Sequence, residues 1–166
     1  RFRRQRQMCI RDRDRPMNIF SLNDKEINND LKRLANDDLK RTTFSLHNTI
    51  IGDQVYIEDG AKVQGSFLNS EDGPIYIANG AEIMEGSMIR GPFVMHEGSV
   101  LKLGTKVYGA TTLGPYCKVG GEVNNVVFQG YANKAHDGFL GNSVIGEWCN
   151  LGAVSYTHLT LPTKPF

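Results

Sequence analysis

The chain has 166 residues, of which 40% are apolar and 22% charged, a composition typical of one globular domain with its own core. It contains no run of the roughly 18 apolar residues that a membrane helix requires, so we expect no membrane insertion. The net charge of +1 conceals an acidic body, because residues 17–153 carry 11 Lys and Arg against 16 Asp and Glu, while seven basic residues lie in the first fifteen positions.

Three cysteines, Cys9, Cys117 and Cys149, occur without any C-x-x-C spacing. The positions of the three cysteines therefore indicate neither a disulfide framework nor a zinc site. They favour a reducing environment, and we expect a cytoplasmic protein.

The two ends of the chain depart from the pattern of the interior. The runs MCIRDR (residues 8–13) and SYTHLTLPT (residues 155–163) resemble translated sequencing-adapter sequence. We expect residues 1–15 and 154–166 to be non-native tails, which carry no information about the fold. A basic arm is typical of nucleic-acid-binding proteins, but a non-native arm indicates no such role, and we expect no nucleic-acid partner.

The first predicted element is a helix within a helical linker or cap at 16–50. Asn23, followed three residues later by Glu26, is typical of a helix N-terminus. We predict an amphipathic helix that begins at about residue 24 and ends either at about residue 35 or at Arg41. It either connects the following repeat to an upstream part of a longer protein or covers the open end of that repeat. Its apolar face consists of Ile27, Leu31 and Leu34.

From residue 51 onward, apolar residues recur every six positions, a period that fits neither a helix nor an alternating strand. It does fit a short strand followed by a tight corner, at which glycine supplies the backbone angles. Three such edges close one coil of eighteen residues, and stacked coils bury the apolar column. The column consists of Ile51, Ile57, Val63, Ile77, Ile83, Ile89, Met95, Leu101, Val107, Leu113, Val119, Phe139, Ile145 and Leu151.

This hexapeptide-repeat pattern resembles the left-handed parallel β-helix family, and the resemblance implies the left-handed winding. The predicted fold class is therefore all-β, a left-handed parallel β-helix over 51–153 with a short N-terminal helical segment. The alternative, an ordinary β-sandwich of short strands, predicts a spacing that varies along the chain.

Two interruptions break the period of six. Fourteen residues separate Val63 from Ile77, with an evident turn in the run NSEDGP (69–74). Twenty residues separate Val119 from Phe139. We expect the second interruption to bulge from the prism as a loop at 125–138, where functional residues tend to lie.

The runs EVNN (122–125), NKAHDGFLGN (133–142) and NLGA (150–153) resemble one enzyme family. This family is the bifunctional N-acetylglucosamine-1-phosphate uridyltransferase/glucosamine-1-phosphate acetyltransferase, whose motif reads E-V-K-N…K-A-G-H-L-T-Y-L-G-D, then N-I-G-A. A broader resemblance to bacterial sugar nucleotidyltransferases covers 17–153. The resemblance implies a C-terminal β-helix of a longer protein of amino-sugar nucleotide metabolism, which transfers acetyl groups from acetyl-CoA to an amino-sugar phosphate.

By this resemblance His136 is the general base, and Asn150 contacts the acetyl-group side of the site. A histidine, whose ordinary pKa is about 6.5, suits the removal of a proton from an attacking amine. Two family residues are replaced: Asn124 stands in place of a lysine that binds sugar phosphate, and Phe139 stands in place of a tyrosine. The family's arginine in G-P-F-A-R has no secure counterpart, and the remaining candidates for the phosphate are Arg90, Lys118 and Lys134.

The resemblance also implies partners. It implies sugar phosphate and CoA as ligands, a homotrimer, and Mg²⁺ only for an N-terminal nucleotidyltransferase domain, whose glycine-rich nucleotide loop this sequence lacks. A second interpretation is a non-catalytic, trimerising or regulatory scaffold for that domain. A third, a zinc carbonic anhydrase, requires three histidines around the metal, and His47, His96 and His136 include no closely spaced pair. We therefore predict no metal ligands.

Overall fold

The computed structural model describes residues 15–35 and 47–152. Two helices, α1 (Met17–Ser21) and α2 (Asn23–Ala35), precede fifteen short strands. The predictions on 1–14, 36–46 and 153–166 lie outside the described residues. The strands are β1 Thr49–Ile51, β2 Val55–Ile57, β3 Lys62–Val63, β4 Phe67–Asn69, β5 Ile75–Ile77, β6 Glu82–Ile83, β7 Met88–Arg90, β8 Phe93–Met95, β9 Val100–Leu101, β10 Lys106–Tyr108, β11 Thr111–Leu113, β12 Lys118–Val119, β13 Glu122–Phe128, β14 Asn133–Lys134 and β15 Phe139–Ile145.

Equivalent strands of successive turns pair in parallel and form the three faces of a prism. Face 1 contains β1, β4, β7, β10 and the first halves of β13 and β15. Face 2 contains β2, β5, β8, β11 and the second halves of β13 and β15. Face 3 contains β3, β6, β9, β12 and β14. The predicted parallel β-helix with a short N-terminal helical segment is confirmed as a parallel β-solenoid of about five turns; its left-handed winding stays a prediction.

From Ile57 to Val119 the column that the period of six predicts fills the interior of this prism. Its first member, Ile51, was wrongly predicted, since it is 42% exposed and Ile50 beside it packs against the core. Leu101, Leu113 and Val119 are fully buried. Burying a side chain of this size stabilises the fold by about 1.5–3 kcal/mol. Because each apolar residue stacks on its equivalent one turn below, the core is continuous along the solenoid. It comprises Val55, Ile57, Val63, Leu68, Ile75, Ile77, Ala81, Ile83, Ile89, Phe93, Met95, Leu101, Val107, Leu113, Cys117, Val119, Val123, Val126, Phe128 and Ala132.

The two interruptions of the period have different structures. The first is the predicted turn, since β4 ends at Asn69 and β5 begins at Ile75. The second, where a bulging loop was expected at 125–138, contains strand segments at 125–128 and 133–134, followed by a corner at 135–138. Asn125, with a φ of 54°, bends β13 from face 1 to face 2 within a single residue, a conformation that asparagine tolerates better than most residues.

The fifth turn is therefore short, and the phase of the repeat changes. Val119 pairs with Lys134, only fifteen positions later. As a result Phe139, expected in the inward column, points outward and is 63% exposed, whereas Leu140 beside it packs against the core. Ile145 also packs against the core, as expected.

The predicted helix is confirmed as α2, but it does not cover the end of the solenoid. Ile27 and Leu31 are buried against the outer side of face 2. The Asn23 side chain donates a hydrogen bond to the Ala110 carbonyl over 2.8 Å and accepts one from the Thr112 hydroxyl over 2.9 Å. The shorter helix α1 contacts β13 and β15. The helices lie along the flank because face 2 offers apolar side chains there, namely Tyr76, Val94 and Ala110.

Neither described helix has the length and the apolarity that a membrane-spanning helix needs.

Candidate functional site

The candidate site lies at the corner 135–138, which joins β14 on face 3 to β15 on face 1. This corner stacks directly on the preceding one. A Cβ atom added to Gly121 would lie 2.8 Å from the Gly138 carbonyl oxygen and 2.9 Å from the Gly138 nitrogen. Glycine at 121 thus allows the two corners to approach closely, which fixes the height of the upper corner on the prism.

Lys134 supports this corner from inside the prism. It occupies the inward position of face 3 and is buried. Its Nζ donates hydrogen bonds to the carbonyls of Gly120 (2.8 Å), Gly138 (2.8 Å) and His136 (3.1 Å). Burial lowers the pKa of the ammonium below its ordinary value, and the nearby Asp137 carboxylate opposes that shift. All three hydrogens of the ammonium are engaged, so Lys134 offers none to a phosphate.

His136 lies at the exposed tip of the same corner. Its imidazole makes no hydrogen bond within the described part of the chain. A cleft of about 340 Å³ opens beside it. The cleft is lined by Lys134, His136, Asp137, Gly138, Phe139, Leu140, Leu151 and Gly152.

Phe139 and Asn124 lie on neighbouring strands of face 1, and of the two only Phe139 lines the cleft. The Phe139 ring covers Gly141, where an added Cβ would lie 2.7 Å from its Cζ atom. Asn124 is the register partner of Gly141. The structure therefore brings His136 and Phe139, where the family motif has histidine and tyrosine, into one cleft. Asn124, where the motif has lysine, lies farther along face 1 with its side-chain oxygen over Gly109.

Asn150 lies on face 3, next to the cleft rather than in it. Its side-chain oxygen accepts a hydrogen bond from Asn133 over 2.9 Å, and the two residues form an isolated β-bridge. Leu151, the following residue, lines the cleft. The position is compatible with a ligand that extends from His136 across the edge of face 3.

Two of the predicted phosphate ligands lie elsewhere. Arg90, in β7 on face 1, forms an ion pair with Asp72 over 2.5 Å and is more than half exposed. Lys118, in β12 on face 3, is exposed and is the register partner of Asn133. Neither lines the His136 cleft.

Lys106 was missed at the sequence level. It lines a second cleft of about 360 Å³ that shares Asp137, Gly138 and Phe139 with the first. Lys106 pairs in register with Glu122, and Glu122 pairs with Phe139. These pairings span sixteen and seventeen positions instead of eighteen, so the period of six could not reveal them. The structure thus places an exposed cation in the same cleft as Phe139, with Glu122 between them in the register.

Glu122 has a further partner on face 1. It accepts a short hydrogen bond from the Tyr108 hydroxyl. This hydrogen bond, followed by burial, raises the pKa of Tyr108. The pair places a carboxylate next to the Lys106 position, so the second cleft contains both charge signs.

No group of three or more His, Cys, Asp or Glu side chains that could hold a metal ion occurs within residues 15–35 and 47–152. The comparison of the chain with protein-family models gave no match, and the comparison with curated proteins gave none either.

Proposed function

We propose that this chain is the β-helix of an acyltransferase that moves an acetyl group from acetyl-CoA to the amine of an amino-sugar phosphate, with His136 as general base. The observation that carries the proposal is the exposed His136 imidazole, which lines a cleft and makes no hydrogen bond within the described part of the chain. Lys134 supports the main chain of this corner from inside the prism. The resemblance of 122–125, 133–142 and 150–153 to the acetyltransferase motif supports the same assignment.

The proposed reaction needs few groups from the protein. His136 takes a proton as the amine nitrogen attacks the thioester carbonyl carbon. The carbon–sulfur bond then breaks, and the leaving thiolate receives the proton. A main-chain N–H of the glycine-containing corner stabilises the oxyanion in this scheme, because glycine lets the backbone approach a ligand closely.

Lys106 is the cation that we assign to the sugar phosphate. Lys134 is saturated by carbonyls, Arg90 is paired with Asp72, and Lys118 lies on another face. Lys106 shares a cleft with Phe139 and Asp137. Phe139 supplies an apolar surface without the hydroxyl of the family's tyrosine, which favours contact with a sugar ring over a hydrogen bond to it.

The test is acetylation of glucosamine-1-phosphate by the full chain, followed by mass spectrometry of the product. His136→Ala should lower kcat by roughly 100-fold or more, the usual contribution of a general base. His96→Ala, which removes an exposed histidine that follows β8, is the matched control and should retain the wild-type rate. Equal rates for wild type and His136→Ala would remove His136 from the mechanism.

A non-catalytic scaffold is the second candidate. The observation in its favour is the exposed apolar surface of face 1, where Phe67 and Met88 are register partners that are each about half exposed. A wild-type chain that forms a trimer and transfers no acetyl group would favour this candidate.

A further inference from the structure

Face 3 has an inward column in which one residue differs in kind from the rest. Val63, Ile83, Leu101 and Val119 occupy the column in the first four turns, and Lys134 occupies it in the fifth. A buried ammonium is unfavourable unless its hydrogens are bonded. A lysine at a position that otherwise holds valine, isoleucine or leucine therefore points to a role in the structure around it.

The Lys134 ammonium joins two successive corners of the prism. The Gly120 carbonyl belongs to the lower corner, and the carbonyls of His136 and Gly138 belong to the upper one. Three N–H donors meet three carbonyl acceptors, and no carboxylate takes part in these bonds. The arrangement resembles a cation held by main-chain oxygens.

We propose that Lys134 is the positioning residue of this corner, an internal cation that fixes the main chain at His136. We further infer that the carbonyls of 120, 136 and 138 form a cage that binds a small primary alkylammonium ion when the lysine side chain is removed. The catalytic meaning of this positioning rests on the function proposed above, whereas the cage itself does not.

The physical reason lies in the three carbonyls. Without the ammonium, the carbonyls of 120 and 136 lose this donor and the Gly138 carbonyl loses the closer of its two donors, so the chain at 136–138 should move toward water. The Gly138 carbonyl also accepts the Glu122 N–H over 3.2 Å. The Glu122 amide is therefore a local reporter of the corner.

The experiment compares wild type, Lys134→Ala and Lys134→Met by NMR, with n-butylammonium as the added ion. In Lys134→Ala the His136 ring signal, assigned by comparison with His136→Ala, should shift, and the Glu122 amide should exchange at least about tenfold faster. Added n-butylammonium should restore both, since it supplies an ammonium and an alkyl chain that replaces the three missing methylenes.

Three controls separate the cage from general effects. Tetramethylammonium carries the same charge without an N–H donor and should restore nothing. Lys134→Met refills the volume with an apolar side chain, so it should show the same changes as Lys134→Ala but no response to n-butylammonium. Lys118→Ala removes an exposed lysine on the same face and should resemble wild type.

The proposal is overturned if the His136 signal and the Glu122 exchange rate are unchanged in Lys134→Met, or if tetramethylammonium restores Lys134→Ala as well as n-butylammonium does. Lys134→Met also carries the comparison if Lys134→Ala does not fold. These readouts require no turnover. If the chain transfers acetyl groups, Lys134→Met should lower kcat with little change in KM. If the chain transfers none but the Lys134→Ala corner still responds to n-butylammonium, the proposed acetyltransferase function is refuted and the proposed cage is not.

Discussion

Single residues at the corners determine how closely the turns stack. Every corner from face 3 to face 1 contains a glycine with positive φ, a conformation that costs other residues roughly 1–2 kcal/mol. Space differs between them: an added Cβ meets nothing within 4 Å at Gly104, whereas at Gly121 it meets backbone atoms of the His136 corner at 2.8–3.0 Å. The series consists of Gly65, Gly86, Gly104, Gly121 and Gly138.

This difference predicts unequal effects of the same substitution. Gly104→Ala should lower the free energy of unfolding by about 1–2 kcal/mol, the conformational term alone. Gly121→Ala should lower it by a further 1–3 kcal/mol or so, because backbone at 137–138 must move. Urea unfolding of both variants measures the difference. Equal losses would mean that the two corners are not packed as closely as the structure has them.

A different corner shows how side chains can replace glycine. Between faces 2 and 3, Gly98 is followed in the next three turns by Tyr116, Tyr131 and Trp148, with φ of 57°, 60° and 60°. The rings stack at centroid distances of 5.3 and 4.3 Å. Stacking of this kind contributes about 0.5–1.5 kcal/mol per pair, which offsets part of the backbone strain.

At the level of elements, face 2 depends on contacts between strands and α2. Tyr76 in β5 packs against the cluster of Ile27 and Leu31, and its hydroxyl donates a hydrogen bond to Glu58 over 2.5 Å. Burial, followed by the Glu58 hydrogen bond, raises the pKa of Tyr76 above its ordinary value of 10.0. The neutral phenol is therefore the form that the folded chain prefers.

This preference predicts an alkaline loss of stability. Below pH 10 the phenol is protonated in both states; above it the unfolded chain releases the proton first, so stability falls as pH rises. Since Tyr76 is only partly buried, its share at pH 11 should be less than about 1 kcal/mol. Urea unfolding between pH 8 and 11 should show a smaller decline for Tyr76→Phe, and a partial reduction for Glu58→Gln. A decline identical to wild type in Tyr76→Phe would contradict this account.

On the scale of the whole molecule, the three faces of the prism are not equivalent. Helices cover the outer side of face 2, and face 3 carries charged residues such as Lys62, Glu82 and Lys118. Face 1 has an open cleft with a volume of about 590 Å³, in which exposed apolar and charged side chains lie together. It is lined by Phe67, Asn69, Met88, Ile89, Arg90, Lys106, Val107, Tyr108 and Glu122. The homotrimer stays a prediction, and face 1 is the surface at which its contact can be tested.

If face 1 is the trimer contact, Met88→Glu should weaken association by at least about tenfold, because it places an unpaired charge in the interface. Leu103→Glu is the control, since Leu103 is equally apolar, 66% exposed and lies at a corner outside that surface. Sedimentation velocity at matched concentrations gives the oligomeric state. A trimer that persists in Met88→Glu would place the contact on another face.

The sequence by itself determined the solenoid, the inward column from Ile57 to Val119, the turn at 69–74 and helix α2. It could do so because buried residues recur every six positions along the chain, and because helix caps and turns depend on residues that are neighbours in the sequence. The identity of the base candidate, His136, came from motif resemblance and stays a prediction.

Only the tertiary structure decided how the chain continues after Val119. The twenty residues from Val119 to Phe139 fit two arrangements equally well. One is a full turn of eighteen residues with a two-residue insertion, and the other is a short turn of fifteen residues that ends at Lys134 and is followed by a corner. The choice depends on which strands pair across turns, and that pairing is not local. The pairing of Val119 with Lys134 placed a lysine in the core, turned Phe139 outward and brought Lys106 to the same edge. Docking of α2 on the flank likewise follows from apolar side chains that strands of several turns expose together.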